Sequence, residues 1–180
     1  MRQLCPTPVK NAGVALVKYR VIALSSKVAA SHMLFSEKMS KLILHATSLT
    51  YPVGPTWHGV LILGPSGIGK SDLALRAMQA GCQLVSDDYS CVWVSGDYLY
   101  AAPPETIAGK MEIRGLGIIG DTQRRPMTRI TLAALAQTDP VDRLPDAEIT
   151  PILGQNIPTI RLNPREASSV PKLLTRLRVA

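Results

Sequence analysis

Apolar positions along this chain recur with two periods, and the switches between them mark the elements. Leu42–Leu44 is a short apolar strand candidate ending at His45. Residues 60–63 form a continuous apolar run bounded by glycines, the pattern of a strand buried on both faces. Across residues 71–80 the spacing changes: Leu73, Ala74, Ala77 and Met78 fall on one helical face, and Gly81 follows as a C-cap. Residues 84–85 predict the next strand, which runs into Ser86-Asp87-Asp88. Residues 91–94 and 98–101 flank Ser95-Gly96-Asp97 and predict a β-hairpin.

The remaining segments are less regular. Residues 51–57 hold two prolines and a glycine and read as a loop, with His58 a turn residue beside it. Gly115, Gly117 and Gly120 punctuate an apolar run containing Ile118 and Ile119, and residues 130–135 fit strand or helix. The proline- and acid-rich stretch 139–151 reads as a surface loop. A late strand is expected at 157–162 and a short basic helix at 172–179. No internal repeat is visible, and 180 residues suit one domain.

Composition narrows the class. With 46% hydrophobic and 18% charged residues a sizeable core is expected, built from aliphatic side chains because aromatics make up only 4%. No apolar run is long enough to span a membrane. Cys5, Cys82 and Cys91 form no CxxC pair, so they read as reduced thiols of a cytoplasmic protein. The formal charge of +7 invites a nucleic-acid reading, but its distribution argues against one. Residues 1–36 carry five basic groups and no acid, whereas residues 37–150 carry ten basic and twelve acidic groups. A nucleic-acid domain concentrates its basic residues on the folded face, with stacking aromatics among them. Residues 1–38 are therefore expected to be a basic extension outside the fold, disordered or non-native, with the domain at 39–180.

The chemistry begins at Gly64-Pro65-Ser66-Gly67-Ile68-Gly69-Lys70-Ser71, which fits the phosphate-binding pattern GxxxxGK[ST]. A chance match in a chain of this length arises on the order of once in a hundred. Here a strand candidate enters the loop and an amphipathic helix leaves it, as the chemistry requires. The glycines let successive N–H groups point at phosphate oxygens, and the helix N-terminus adds its dipole. Lys70 supplies a point charge for the β/γ-phosphates, and the Ser71 hydroxyl is the expected Mg²⁺ ligand.

Asp87 and Asp88 follow the next predicted strand, at the end that faces the ligand crevice in an open α/β sheet. Two adjacent carboxylates could divide labour, one holding Mg²⁺ and one accepting a proton from an attacking hydroxyl. A solvated turn is the ordinary alternative. Glu112 and Arg114 alternate with apolar neighbours and share one strand face, suiting either a metal and a transferring phosphoryl group or a plain cross-strand ion pair.

Together the P-loop, Leu84-Val85-Ser86-Asp87-Asp88 and Glu112-Ile113-Arg114-Gly115-Leu116-Gly117-Ile118-Ile119 resemble the catalytic domain of HPr kinase/phosphorylase, in its shortened alphaproteobacterial form. The resemblance spans roughly residues 41–179. It implies an α/β, P-loop kinase-like domain with a mostly buried mixed sheet flanked by helices. It also implies ATP and Mg²⁺ as cofactors, the small phosphocarrier protein HPr of the phosphotransferase system as partner, and a homohexamer. The implied reactions are phosphorylation of a seryl residue on HPr and its phosphorolytic reversal. By the same resemblance Gly64 to Ser71 bind ATP with Lys70 catalytic, and Ser71 and Glu112 are metal ligands. The Asp87–Asp88 pair is the general base and its neighbour, Arg114 serves both reactions, and His45 matches the family's histidine upstream of the loop. The long form's catalytic arginine lies in a Pro-Gly-Arg-Asn stretch that is missing here, and Arg161 or Arg165 could take its place. The competing readings are a P-loop kinase of a small metabolite and a nucleotide-sensing regulator without turnover.

Overall fold

The computed structural model describes residues 41–120 and 124–179, so the expectations for residues 1–38 lie outside it. In chain order the elements are β1 (Leu42–Leu44), β2 (Ala46–Val53), β3 (Thr56–Leu63), α1 (Lys70–Gln79), β4 (Gln83–Ser86), β5 (Ser90–Ser95) and β6 (Tyr98–Ala102). A short 3-10 turn at Glu105–Ile107 leads to β7 (Lys110–Ile113) and β8 (Gly117–Gly120), then β9 (Thr128–Ala136), β10 (Glu148–Ile152), β11 (Gln155–Leu162) and α2 (Ser169–Arg178). Nine strands form one mixed sheet in the order β1-β5-β6-β9-β3-β2-β4, with the β10–β11 hairpin joined to β9, while β7 and β8 form a separate hairpin.

β3 sits deep in the sheet and is apolar on both faces. Val60 and Ile62 face a core shared with Leu73, Ala74 and Ala77 of α1 and with Leu173, Leu174 and Leu177 of α2. Leu61 and Leu63 face a second core closed by Val92, Leu99, Ala101, Ile152 and Ile157. Both helices therefore pack on the same face, and the sheet's own outer strands curl over the other. That arrangement explains the continuous apolar run, since from Gly59 to Leu63 neither face of β3 meets water. Helix α1 ends in a Schellman motif: Gly81 N–H donates to Met78 O at 3.0 Å and Cys82 N–H to Ala77 O at 3.0 Å. Cys82 itself is packed in the first core, and burial pushes its thiol up to about 12.

Several segments depart from the sequence expectation for identifiable reasons. The stretch 51–57 is not a loop: β2 runs to Val53, β3 starts at Thr56, and Pro52 pairs with Trp57 at the hairpin end. His58 is accordingly a strand residue, paired with Tyr51 at the opposite end of β3 from the P-loop. The polar run Thr47, Ser48, Thr50 hid β2, yet these side chains are fully buried. Ser90 Oγ donates to Ser48 Oγ at 2.9 Å, and Thr128 Oγ1 to Thr50 Oγ1 at 2.8 Å. The expected loop 139–151 gives way to β10 from Glu148, where Pro151 is tolerated on an edge strand. Residues 130–135 are strand, the glycine-punctuated run is the end of the β7–β8 turn followed by β8, and the C-terminal helix starts three residues before the expected Lys172, at Ser169. Among the described residues no helix is long and apolar enough to cross a membrane.

β9 pairs with β3 in parallel, and the register jumps from Gly59↔Ile130 to Val60↔Leu132. Thr131 is the extra residue. This bulge turns Ile130 into the second core and Leu132 into the first, although their spacing alone would place them on one face. At the same point the backbones approach so closely that a side chain on Gly59 would strike the Arg129 carbonyl and the Thr128 side chain. Gly59→Ala is expected to cost about 1–3 kcal/mol of stability by urea denaturation. Gly120→Ala, whose added carbon meets nothing among the described residues, should change stability by less than about 0.5 kcal/mol.

Candidate active site

The sheet topology brings four strand ends to one edge. β3 delivers the P-loop, β4 delivers Asp87, β11 delivers Asn163-Pro164-Arg165, and antiparallel β2 enters there just after His45. The pairs Ala46↔Leu63 and Ser48↔Ser86 place β2 between the P-loop strand and the acidic strand. A cleft of about 690 Å³ opens at this edge, within the range of small-ligand sites.

Lys70 begins α1 immediately after Gly69, whose φ of 112° is a left-handed cap conformation that a glycine adopts without strain. Lys70 as a residue is only 5% exposed, and its ammonium donates to Gly64 O at 3.0 Å and Pro65 O at 3.2 Å. Burial pulls its pKa below the ordinary value of 10.5, opposed by the nearby Asp88 and Asp87 carboxylates. From the next position of α1, Ser71 Oγ donates to Asp87 Oδ1 at 2.9 Å. Thr47 Oγ1, from β2, donates to the same oxygen at 3.0 Å.

The two aspartates face different surroundings because the backbone turns sharply between them. Tyr89 N–H donates to Asp87 O at 2.7 Å, closing a three-residue turn whose central residue, Asp88, has a φ of 65°. Aspartate is among the few residues that visit this region, and strained backbone of this kind clusters at functional sites. The result is a buried Asp87 and an Asp88 whose side chain is 65% exposed. His45 Nε2 lies 3.0 Å from Asp88 Oδ1 and 3.5 Å from Lys70 Nζ, and its ring packs 5.5 Å from that of Tyr89.

Across the cleft, β7 keeps Met111 and Ile113 against the core and turns Glu112 outward, whereas Arg114 falls just past the strand, in the β7–β8 turn rather than on one strand face with Glu112, and both line the cleft. Among the described residues neither forms an ion pair, so the cross-strand pair is not what they make. The two arginine alternatives separate clearly. Arg161 is engaged elsewhere, donating to Glu148 at 2.8 and 2.6 Å and to Gln137 at 3.0 Å. Arg165 lines the cleft. Its turn is fixed by Arg165 N–H donating to Asn163 Oδ1 at 3.0 Å, while Arg76 of α1 donates to the Pro164 and Glu166 carbonyls.

Of the residues proposed from sequence, His45, Ser66, Gly67, Gly69, Lys70, Ser71, Asp87, Asp88, Glu112, Arg114 and Arg165 line this cleft; Gly64 and Pro65 turn their carbonyls to Lys70, Ile68 packs on the first core, and Arg161 lies elsewhere. Thr47, Tyr89 and Arg76 were missed. Thr47 lay within a polar run inside a buried strand, a signal in its own right, whereas Tyr89 and Arg76 acquire meaning only from the turn and the tertiary contact. The donor set suits a hard cation: a hydroxyl and carboxylates, with room for water and phosphate oxygens. A side chain built on Gly67 would meet nothing among the described residues, and Gly67 itself lines the cleft.

Fold and cleft together define a P-loop domain, with the strand–loop–helix phosphate-binding motif opening on the cleft at the sheet edge. The family model for the HPr Serine kinase C-terminal domain matches residues 56–176, and the chain belongs to that family. The HPr kinase/phosphorylase of Treponema pallidum (strain Nichols) is 36% identical over 131 residues, covering 64% of this chain and 40% of that protein. That of Bacillus licheniformis is 46% identical over 83 residues, covering 41% of this chain and 26% of that protein. The chain therefore spans two fifths or less of these relatives' length. A solved structure of the Hpr(Ser) kinase/phosphatase from Coxiella burnetii superposes with a TM-score of 0.62 at 28% identity, covering 75% of this chain and 87% of that one.

Phosphate binding needs Lys70 charged, so nucleotide affinity should hold at neutral pH and fall as pH rises through the lowered lysine pKa, before an ordinary lysine would titrate. Binding of ADP without metal, measured above neutral pH where ADP's own charge is constant, checks this. Lys70→Ala should bind weakly with no such fall.

Proposed function

We propose that this domain is an ATP-dependent protein serine kinase whose acceptor is HPr, and that it also removes the phosphate by phosphorolysis. The names of the matched relatives supply the acceptor and the two reactions. The observation that carries the reading is Asp87 hydrogen-bonded to Ser71 of the P-loop, with Asp88 held beside it in the open cleft.

In the mechanism the loop amides and the α1 dipole hold the ATP phosphates, and Lys70 leaves its carbonyl partners for the β/γ-phosphates. Ser71 and Glu112 are the residues to hold Mg²⁺, which when bound neutralises phosphate charge. Asp87 fixes the Ser71 hydroxyl. The aspartate pair accepts the proton of the incoming serine hydroxyl and returns one in the reverse direction. His45 steadies Asp88 through the 3.0 Å contact. Arg114 and Arg165 face the transferring group, where positive charge aimed at spreading oxygen charge contributes most to rate.

A homohexamer, a domain boundary near residue 39 and a cytoplasmic location belong to this same reading. Two alternatives compete with it, a regulator without turnover and a metabolite kinase, and no contact in the cleft favours either. Incubating the chain with Mg²⁺, ATP and HPr from the same organism, and weighing HPr intact, tests the proposal. The expected result is a single seryl phosphate that inorganic phosphate then removes. The double substitution Asp87→Asn, Asp88→Asn should retain ATP binding and lose transfer by at least about 10²-fold. Unchanged HPr despite ATP binding would contradict the proposal.

A further inference from the structure

We propose that Thr47 is a positioning residue for phosphoryl transfer: its hydroxyl locks the Asp87 carboxylate so that Ser71 presents its oxygen to the cation. The inference rests on the kinase reading above. β2 separates the P-loop strand from the acidic strand, and the Asp87 carboxylate at the end of β4 is joined both to β2, through Thr47, and to α1, through Ser71. On the β2 face turned toward α1, Leu49 and Tyr51 pack into the first core, and Thr47 ends that row at the cleft.

Thr47 is fully buried, and its oxygen lies 3.0 Å from Asp87 Oδ1, the same atom that Ser71 Oγ reaches at 2.9 Å. A serine hydroxyl has one proton. Spent on Asp87, it leaves the oxygen lone pairs free for a cation. That orientation survives only while Oδ1 stays in place, and an aspartate carboxylate rotates over a broad, roughly two-fold well. The second donor, anchored in the middle of a sheet, removes that freedom. Valine would fill the same volume without the proton, and a longer donor would not fit a position with no exposed surface.

The test is equilibrium binding of a fluorescent ADP to the full chain, with and without Mg²⁺. Thr47→Val is expected to keep metal-free affinity within about twofold while the Mg²⁺ concentration for half-effect rises roughly 10–100-fold. Thr47→Ser, which restores the hydroxyl, should return it to within about threefold of the starting value. If Thr47→Val melts early, Thr47→Ala gives the same comparison. A wild-type Mg²⁺ requirement in the valine variant overturns the proposal. So does an equal loss of metal-free affinity, which marks a packing role. A starting chain that binds no nucleotide contradicts the kinase reading itself, and the role of Thr47 with it.

Discussion

The site depends on one carboxylate that is joined both to β2 and to α1. The strand that carries the P-loop and the strand that carries the acidic pair are not neighbours, because β2 runs antiparallel between them. Asp87 closes that gap by accepting from Ser71 on α1 and Thr47 on β2 at one oxygen. Buried carboxylates are costly unless hydrogen-bonded or paired. Here two hydroxyls and the nearby Lys70 ammonium meet that cost, and the same contacts tie β2, β4 and the start of α1 into one unit.

The rest of the fold holds that unit rigid. Two cores clamp the central strands, with both helices on one face and curled outer strands on the other. The bulge at Thr131 and the close approach at Gly59 let β9 serve both cores while staying parallel to β3. From α1, Arg76 reaches the turn that carries Arg165. The phosphate loop and the turn that carries Arg165 are thereby braced from the same helix.

Much of this was legible in the sequence where local chemistry dictates local structure. The P-loop, the helix after it and the Asp87–Asp88 corner follow from residue type and spacing, and their meeting at one edge follows from α/β topology. Other features needed the tertiary structure. β2 was obscured because Ser48 and Thr50 bury their hydroxyls against Ser90 and Thr128, partners more than 40 positions away. Prolines 52 and 151 read as loop signals, yet each is accommodated, one at a hairpin end and one on an edge strand. Arg161 and Arg165 were indistinguishable until the Glu148 pair claimed the first. Sequence spacing cannot reveal which of two arginines is already engaged.

The most direct test of the account is a double-mutant cycle between Ser71 and Asp87, read as affinity for the Mg²⁺–nucleotide complex. If Asp87 acts by holding the Ser71 hydroxyl, Ser71→Ala and Asp87→Asn should be strongly non-additive, with coupling above about 1 kcal/mol. Effects that add to within about 0.5 kcal/mol would mean the two residues act independently, contradicting the account.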